Sequence, residues 1–193
     1  MQNQNFLVTT ERLILRDFQE SDWQRFVELH NDSSVKNNFL SFQLNDDYIQ
    51  RSFESGFLSK EQNPRLNYFL AIVLKEQETI IGTCSISGTL AGYENTGIGW
   101  HVESSYTGKG YATESAGELL RLGFHKHNVE RVIAECFADN RASRRVMEKN
   151  GMTIVSSGLL TRWIRGAYYG EKKPIVRYQI NRAEWFAKNS SNK

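Results

Sequence analysis

The glycine-rich turn Thr107-Gly108-Lys109-Gly110 is the feature that most constrains what this chain can fold into. It lies between a strand-like segment, Gly97 to Val102, and an amphipathic segment, Ala112 to His125, whose apolar spacing predicts a helix. A helix that begins at such a turn leaves several backbone N–H groups unpaired beside the positive end of its dipole. Gly108 and Gly110 have no Cβ, so a ligand can approach the main chain closely. We therefore expect the turn to bind an anion such as a phosphate group.

Two phosphate-binding motifs compete for the same turn, and both fail on spacing. A dinucleotide fingerprint, G-x-G-x-x-G/A, would place a third small residue where the chain has Thr113. No clear βαβ unit begins near the N-terminus either. A nucleotide P-loop requires Gly-Lys followed by Ser or Thr, whereas Lys109 is followed by Gly110. When the turn is considered alone, a glycine turn that merely begins a helix remains the alternative.

Length and composition favour a single enzyme domain. The chain has 193 residues and no Pro/Ser-rich linker, so we expect one domain over 1–187 and a disordered tail over 188–193. A net charge of +2 argues against direct nucleic-acid binding, and no apolar run reaches the roughly 20 residues that span a bilayer. Cys84 and Cys136 are isolated, and the first residues do not resemble a signal peptide. We therefore expect a cytoplasmic protein with reduced cysteines, no metal and no membrane association.

The periodicity along the chain predicts alternating strands and helices of the α+β class. Strands are expected at Leu13–Phe18, Tyr68–Leu74, Thr79–Ser87, Thr96–Glu103, Glu130–Phe137, Thr153–Ile164 and Ile175–Asn181. Helices are expected after Ser21-Asp22, after Asn45 or Asp46, over Ala112–His125 and over Arg141–Lys149. Periodicity alone supports no more specific fold.

Three motifs follow one another in the second half of the chain. The glycine turn continues into Tyr111-Ala112-Thr113-Glu114, Asn140-x-x-Ser143 begins the next helix, and Glu148-Lys149-Asn150-Gly151-Met152 ends it. In this order the motifs resemble those of the GNAT acetyltransferases, and most closely the RimJ/RimL-like branch, which acetylates ribosomal-protein N-termini. Four more stretches extend the resemblance over roughly the whole chain: Thr10 to Arg16, Ile81-Gly82, Val176 to Ile180 and Glu184-Trp185.

The resemblance implies the GNAT fold, with a mixed, mostly antiparallel central sheet, splayed at the middle and flanked by helices on both faces. It also implies acetyl-CoA as the cosubstrate. In that fold the central strand, here Ile98 to Glu103, offers a backbone N–H near Val102 to the thioester carbonyl, and the pantetheine arm lies along it. The residues that the resemblance places on the cosubstrate are Val102, Gly108, Lys109, Gly110, Tyr111, Ala112, Thr113, Asn140 and Ser143.

Catalytic side chains are less clearly marked than the cosubstrate loop. Acetyl transfer needs a neutral amine, donors for the oxyanion and a hydrogen bond to the departing thiolate. The resemblance assigns the last role to Ser143, although Asn140 and Ser143 are also typical of an ordinary helix cap. Related enzymes often have a Glu-Gly pair after this helix, and this chain has none. Glu103 and His101 are the alternative bases and Glu94 is a weaker one, while a water chain would require no dedicated base.

The acceptor is expected to contact the variable parts of the chain. Segment 38–42 is apolar and segment 162–169 is aromatic and basic, so each is compatible with a cleft wall or with core packing. The resemblance implies direct attack in a ternary complex by a protein or peptide N-terminus, as of a ribosomal protein. A small-molecule amine, including an antibiotic, and an inactive acyl-CoA sensor are the alternatives. Two features motivate the sensor hypothesis. The Glu-Gly acid is missing, and the chain has Thr107 where the family loop commonly has Gln, Arg or Trp. We expect a monomer or a homodimer.

Overall fold

The computed structural model describes residues 6–32, 35, 45–61, 65, 67–88, 96–159, 163–164, 167–168 and 174–190. Its strands are β1 (Leu7–Thr9), β2 (Leu13–Asp17), β3 (Tyr68–Leu74), β4 (Thr79–Ser87), β5 (Thr96–Val102), β6 (Arg131–Phe137), β7 (Thr153–Leu159), β8 (Trp163–Ile164), β9 (Ala167–Tyr168) and β10 (Pro174–Asn181). Its helices are α1 (Trp23–Asn31), α2 (Asp46–Lys60), α3 (Tyr111–Arg121), α4 (Arg141–Lys149) and α5 (Arg182–Ser190).

Eight of the described strands form one mixed sheet in the order β1-β2-β3-β4-β5-β6-β10-β7, and β8 pairs separately with β9. Every neighbouring pair in the sheet is antiparallel except β5 and β6, which are parallel. This arrangement confirms the expected fold class. It also places the carboxyl ends of β5 and β6 at the same edge, where α3 and α4 follow them.

The parallel pair β5–β6 is bonded over a short length only. In the described residues the pairing is limited to Thr96 with Val132 and Gly97 with Ile133, although both strands continue well beyond these pairs. The facing edges of the two strands therefore separate toward their carboxyl ends. The sheet is open at its centre, and the backbone of β5 is exposed to that gap on the side of β6.

Two apolar clusters cover opposite faces of the sheet. The larger packs α3, through Leu119 and Leu120, onto the sheet. The smaller packs α1 and α2, through Phe26 and Phe53, onto the other face. Successive side chains of β3 enter alternate clusters because strand residues alternate between the two faces. Each fully buried leucine stabilises the fold by about 1.5–3 kcal/mol, so α3 is firmly fixed beneath the loop that precedes it.

Polar caps fix where two of the helices begin. The side chain of Asn45 accepts a hydrogen bond from the N–H of Tyr48 (2.9 Å) at the start of α2. Asn140 caps α4, which ends before Gly151 at a φ of +81°. Both starts lie where the sequence predicts them, and α4 has the predicted bounds.

Several elements differ from the sequence prediction. The helix α3 begins at Tyr111 and continues as a π-helical turn over Leu122–Lys126. The pattern predicts neither β1, which is only three residues long, nor α5. Because α5 extends to Ser190, residues 188–190 of the expected disordered tail are helical, and 191–193 lie outside the described residues. The predicted strand over 153–164 is observed as β7 and β8, and residues 160–162 also lie outside the described part.

Candidate active site

The glycine turn forms a loop of consecutive main-chain donors. Gly108 and Gly110 have φ angles of +77° and +87°, which other residues adopt only at a cost. The first helical bond of α3 runs from the N–H of Glu114 to the carbonyl of Gly110 (3.0 Å). Among the described residues, the six N–H groups from Gly108 to Thr113 have no acceptor. They lie at the positive end of α3, so together they form a site for an anion.

The turn between β1 and β2 holds this loop in place. The Glu114 carboxylate accepts hydrogen bonds from Thr10 Oγ1 (2.6 Å), Arg12 N (2.9 Å) and Arg12 Nε (2.8 Å). Arg12 Nη1 donates to the Lys109 carbonyl (2.9 Å), and the Arg12 guanidinium lies 4.7 Å from the ring centre of Tyr111. Burial raises the pKa of the Glu114 carboxyl, but the hydrogen bonds from Thr10 and Arg12 outweigh this effect and hold the pKa below its usual value. Sequence reasoning assigns no role to Thr10, Arg12 or Glu114.

Val102 directs its main-chain N–H toward the gap between β5 and β6. The N–H of Glu103 donates to the carbonyl of Ile81 in β4 (2.9 Å). Because successive N–H groups of an extended strand point to opposite edges, the N–H of Val102 points away from β4. The Val102 side chain is buried in the larger apolar cluster, which fixes this part of the strand. The position expected to bind a thioester carbonyl thus has a donor that faces the open centre of the sheet.

Gly82 allows β4 and β5 to lie close together beside Val102. A Cβ on Gly82 would lie 2.1 Å from the carbonyl oxygen of His101 and 3.0 Å from Val102 Cα. The β3–β4 register also shifts between Ile72 and Val73, so β4 is irregular at this level. The motif Ile81-Gly82 is therefore explained by a close backbone approach that no larger residue permits without movement.

Two contacts join α1 to the end of β5. The Glu103 carboxylate pairs with Arg25 of α1 (2.6 Å). The hydroxyl of Ser104 donates to Asp32, just after α1 (2.7 Å). Glu103 is therefore engaged with a guanidinium in this structure.

His101 is a neutral imidazole at pH 7. Burial, followed by the nearby His30, lowers the pKa of His101 to about 4, against the opposing effect of Asp32 and Glu103. The Nδ1 atom of His30 lies 2.8 Å from the Phe26 carbonyl, and burial lowers the pKa of His30 as well. His101 and Glu103 thus face α1 together, on the opposite side of β5 from the Val102 side chain.

Asn140 and Ser143 lie at the start of α4, where β6 ends. Asn140 Oδ1 accepts a hydrogen bond from Ser143 N (3.0 Å), so the capping role weighed from the sequence is observed. In the described part of the chain, neither Asn140 Nδ2 nor Ser143 Oγ has a hydrogen-bond partner. The cap therefore leaves one donor on each side chain for a ligand.

The two cysteines are buried and reduced. Burial raises the pKa of the Cys136 thiol to about 11 and raises that of the Cys84 thiol further. Neither thiol is therefore a nucleophile at neutral pH, in agreement with their interpretation as core residues.

Thr107 and Lys109 complete the surroundings of the loop. Thr107 Oγ1 donates to the Ser104 carbonyl (2.8 Å), which closes the turn before the glycines without using any amide of the loop. Lys109 is exposed, and its Nζ lies 5.4 Å from the ring centre of Tyr106. Its charge is therefore close to the unpaired amides.

Several expectations concern residues outside the described part. Segment 38–42, Glu94 and the side chains of segment 162–169 are not described, so the predicted acceptor walls stay predictions. Among the described residues, no cluster of three His, Cys, Asp or Glu side chains could hold a metal ion. None of the described helices combines the length and apolar character needed to cross a membrane.

A mixed sheet whose parallel strands separate at its centre, beside a loop of unpaired amides, is the architecture of the acyltransferase class to which the comparisons assign this chain. Residues 12–153 match the family model described as "Acetyltransferase (GNAT) domain". The chain therefore belongs to the GNAT family and is an acetyltransferase. Enzymes with the GNAT fold use acetyl-CoA.

Individual relatives agree with this assignment. An uncharacterized N-acetyltransferase of Bacillus subtilis (strain 168), YnaD, is 32% identical over 145 residues, which are 75% of this chain and 81% of that protein. The crystal structure of a GNAT-family acetyltransferase from Bacillus anthracis has 25% identity and a TM-score of 0.72, covering 92% of this chain and 99% of that one. RimL, a ribosomal L7/L12 alpha-N-protein acetyltransferase in complex with coenzyme A, has 16% identity and a TM-score of 0.72, covering 91% and 98%. The likeness to RimL concerns the fold alone.

Proposed function

We propose that this chain transfers the acetyl group of acetyl-CoA to a primary amine, and that the acceptor is a protein or peptide N-terminus. The observation that carries the proposal is the row of unpaired amides from Gly108 to Thr113, next to the edge of β5 that β6 leaves open. The unpaired amides suit a pyrophosphate, and the open edge of β5 suits an extended arm with amide groups. One linear ligand that has both parts in this order is a coenzyme A thioester.

The chain binds this cosubstrate mainly through its backbone. The amides from Gly108 to Thr113 donate to the pyrophosphate oxygens, and the exposed Lys109 adds positive charge beside them. The main chain from Ile98 to Val102 pairs with the amides of the pantetheine arm, and Asn140 Nδ2 donates to the same arm. Because these donors are backbone groups, Thr107 in place of a larger first residue leaves the binding intact.

Two donors act on the reacting thioester. The N–H of Val102 donates to the carbonyl oxygen, where negative charge develops, and a donor of this kind is worth about 2.7–4 kcal/mol in the transition state. The Ser143 hydroxyl donates a hydrogen bond to the sulfur that departs. Acetyl-CoA itself supplies an activated acetyl group. The chain therefore has to hold the thioester, stabilise the oxyanion and admit a neutral amine.

The amine approaches from the side of α1. Three carboxylates on this side, Glu28, Glu103 and Asp32, outweigh the guanidinium of Arg25 that pairs with the first two. The resulting negative potential attracts a cationic amine. His101, neutral at pH 7 because its pKa is about 4, accepts a hydrogen bond from the amine. A free α-amino group has a pKa of about 7.7–8.0, so proton transfer to His101 is unfavourable and the proton leaves to water. His101 thus orients the nucleophile, while Glu103 acts through its charge.

A protein N-terminus is the acceptor that best fits this site. It is a primary amine with a low pKa, so a useful fraction is neutral at pH 7 without a strong base. RimL, which shares this fold, is a ribosomal L7/L12 alpha-N-protein acetyltransferase, and this acceptor belongs to the same class. The missing Glu-Gly acid is consistent with this chemistry, because an amine of low pKa needs less help in deprotonation.

The first test is ligand-induced stabilisation with acetyl-CoA, CoA, NAD and ATP in parallel. A ligand at about 100 times its Kd stabilises the fold by about 2.7 kcal/mol, or roughly 5–10 °C for a chain of this size. We expect this shift with the two CoA species only. Thiol release is then measured with peptides that have free or blocked N-termini and with small amines, antibiotics included. Turnover of free peptides alone supports the proposal, whereas preference for small amines, or CoA binding without turnover on any acceptor, contradicts it.

A further inference from the structure

We propose that Arg12 and Glu114 are positioning residues that hold the phosphate-binding loop in its binding conformation, so that affinity for the phosphate part of acetyl-CoA depends on their ion pair. The inference rests on the proposed function of the loop. The clamp, as we call Thr10, Arg12 and Glu114, lies on the β1–β2 turn and the first turn of α3. It contacts the loop through the Lys109 carbonyl and the Tyr111 ring.

Glu114 places a carboxylate close to a site that must receive an anion. It is the fourth residue of α3, and its own N–H closes the first helical turn onto Gly110. An unpaired carboxylate there would repel a pyrophosphate. Arg12 removes that repulsion, because its Nη2 lies 2.7 Å and its Nε 2.8 Å from Glu114 Oε2, while Arg12 N and Thr10 Oγ1 donate to Oε1. Among the described residues, the hydrogen-bond and ion-pair partners of the Glu114 carboxylate come from the β1–β2 turn.

The contact of Arg12 with the loop backbone sets the direction of one loop donor. Arg12 Nη1 holds the carbonyl of Lys109 at 2.9 Å. The peptide between Lys109 and Gly110 is planar and trans, so the N–H of Gly110 points opposite to that carbonyl, away from Arg12. The same guanidinium lies 4.7 Å from the Tyr111 ring centre, and a Cβ on Gly110 would be 3.3 Å from Arg12 Nη2. The Arg12 side chain thus holds the peptide before Gly110 and contacts the ring of the residue after it.

The other end of the clamp is firmly attached to the fold. Thr10 and Leu13 close the β1–β2 turn through two hydrogen bonds, Thr10 N to the Leu13 carbonyl and Leu13 N to Thr10 Oγ1, each 2.9 Å. Lys75 Nζ donates to the Thr10 carbonyl from the next hairpin. Leu13 itself is fully buried in the sheet. A loop with two residues at positive φ is therefore held by a rigid neighbour, and less conformational entropy is lost when the anion binds.

The test compares Glu114→Gln with a matched control, Glu118→Gln. Glu118 lies one turn further along α3, its side chain is 13% exposed against 16% for Glu114, and it also pairs with an arginine, Arg121. Within the described part of the chain, the Glu118 carboxylate pairs with Arg121 and makes no hydrogen bond to the loop. Glu114→Gln keeps the shape of the side chain but removes the charge that holds Arg12, so the guanidinium is released from the loop.

Three quantities are measured for each variant: Kd for CoA by calorimetry, and KM and kcat with acetyl-CoA and with S-acetylpantetheine, which lacks phosphate. We expect Glu114→Gln to raise Kd for CoA and KM for acetyl-CoA about tenfold, with kcat and the KM for S-acetylpantetheine unchanged. Glu118→Gln should change none of these. Equal KM increases for both thioesters, or the same effect in both variants, would mean a merely structural role and would overturn the inference.

A second variant keeps the inference testable where Glu114→Gln does not fold. Arg12→Lys retains the positive charge but not the fork that reaches Glu114 and Lys109 at once, so it should weaken CoA binding while the circular dichroism spectrum stays that of the wild type. In Arg12→Lys/Glu114→Gln the two losses should not add, because each breaks the same pair. Wild-type protein that binds no CoA would overturn the proposed function, and this inference with it. Wild-type affinity in every clamp variant would overturn the inference alone.

Discussion

Replacing Gly82 with alanine tests whether the close approach of β4 and β5 positions the donor of Val102. The new Cβ would lie 2.1 Å from the His101 carbonyl oxygen and 3.0 Å from Val102 Cα, well inside contact distance. Both atoms belong to the backbone, so the strand itself must move. Overpacking of this kind typically costs about 1–3 kcal/mol of unfolding free energy. For a chain of this length the melting temperature should fall by about 2–12 °C.

The same substitution should reduce kcat more than it affects cosubstrate binding. A shift of β5 displaces the Val102 N–H from the thioester oxygen, and loss of one such donor lowers kcat by about 10²–10³-fold. The amides from Gly108 to Thr113 lie beyond β5 and keep their phosphate contacts, so Kd for CoA should rise by a smaller factor than kcat falls, even though β5 also pairs with the pantetheine arm. Gly97→Ala is the control for stability, because its Cβ would have a single neighbour, Ser87 O, at 3.9 Å. A Gly82→Ala variant as stable and as active as wild type would refute this reasoning.

Three further substitutions separate the loop, the cap and the imidazole. Gly108→Ala adds a Cβ that meets no protein atom within 4 Å, but alanine must adopt the φ of +77°. The free energy of unfolding should therefore fall by about 1–2 kcal/mol, and CoA binding measured by calorimetry should weaken. Gly158→Ala is the control, because that position is equally open but has no positive φ, and it should change neither quantity. Asn140→Asp keeps the cap oxygen and loses the Nδ2 donor, so its melting temperature should stay near that of wild type while the KM for acetyl-CoA rises. Asn140→Ala should raise the KM and also lose about 1 kcal/mol of stability. Equal KM values in wild type and both variants would contradict a role in binding. Because burial lowers the pKa of His101 from 6.5 to about 4, the unfolded chain binds a proton that the folded chain excludes, so the free energy of unfolding falls as pH drops through this window. Urea unfolding at pH 5 and pH 7 should show a smaller fall in His101→Gln than in wild type, and an equal fall would contradict the buried, neutral assignment.

Much of the fold follows from local patterns in the sequence. The turn at Gly108 and Gly110, the central strand β5 and the helix α4 lie where spacing and caps predict them, because each depends on residues close together in the chain. The strand β1 could not be predicted in this way, because a segment of three residues is too short to show the alternation of a strand. The separation of β5 from β6 follows from pairing across the sheet, which no local pattern encodes.

The candidate site likewise has one part that local sequence predicts and another part that depends on distant residues. The donors of the loop were predictable, because glycine at positive φ before a helix has a local signature. The clamp was not, because Arg12 and Glu114 are 102 positions apart in the sequence, and the motifs in which they lie do not indicate that the two side chains pair. The pairing of Glu103 with Arg25 likewise spans 78 residues. This ion pair joins Glu103 to α1, a contact that the sequence alone does not indicate.

This division explains which positions around the loop tolerate substitution. Every hydrogen-bond donor proposed for the pyrophosphate is a main-chain amide, so the side chain at Thr107 can vary without loss of a donor, and the Lys109 side chain contributes only charge. The requirement for particular side chains instead falls on residues that fix the backbone. Arg12 does so by donating to the Lys109 carbonyl, and Glu114 does so by holding Arg12. A site formed by backbone groups is not marked by particular side chains at the site. Its dependence on sequence lies in the residues whose side chains contact and hold that backbone. The residues most sensitive to substitution should therefore be those that hold the loop.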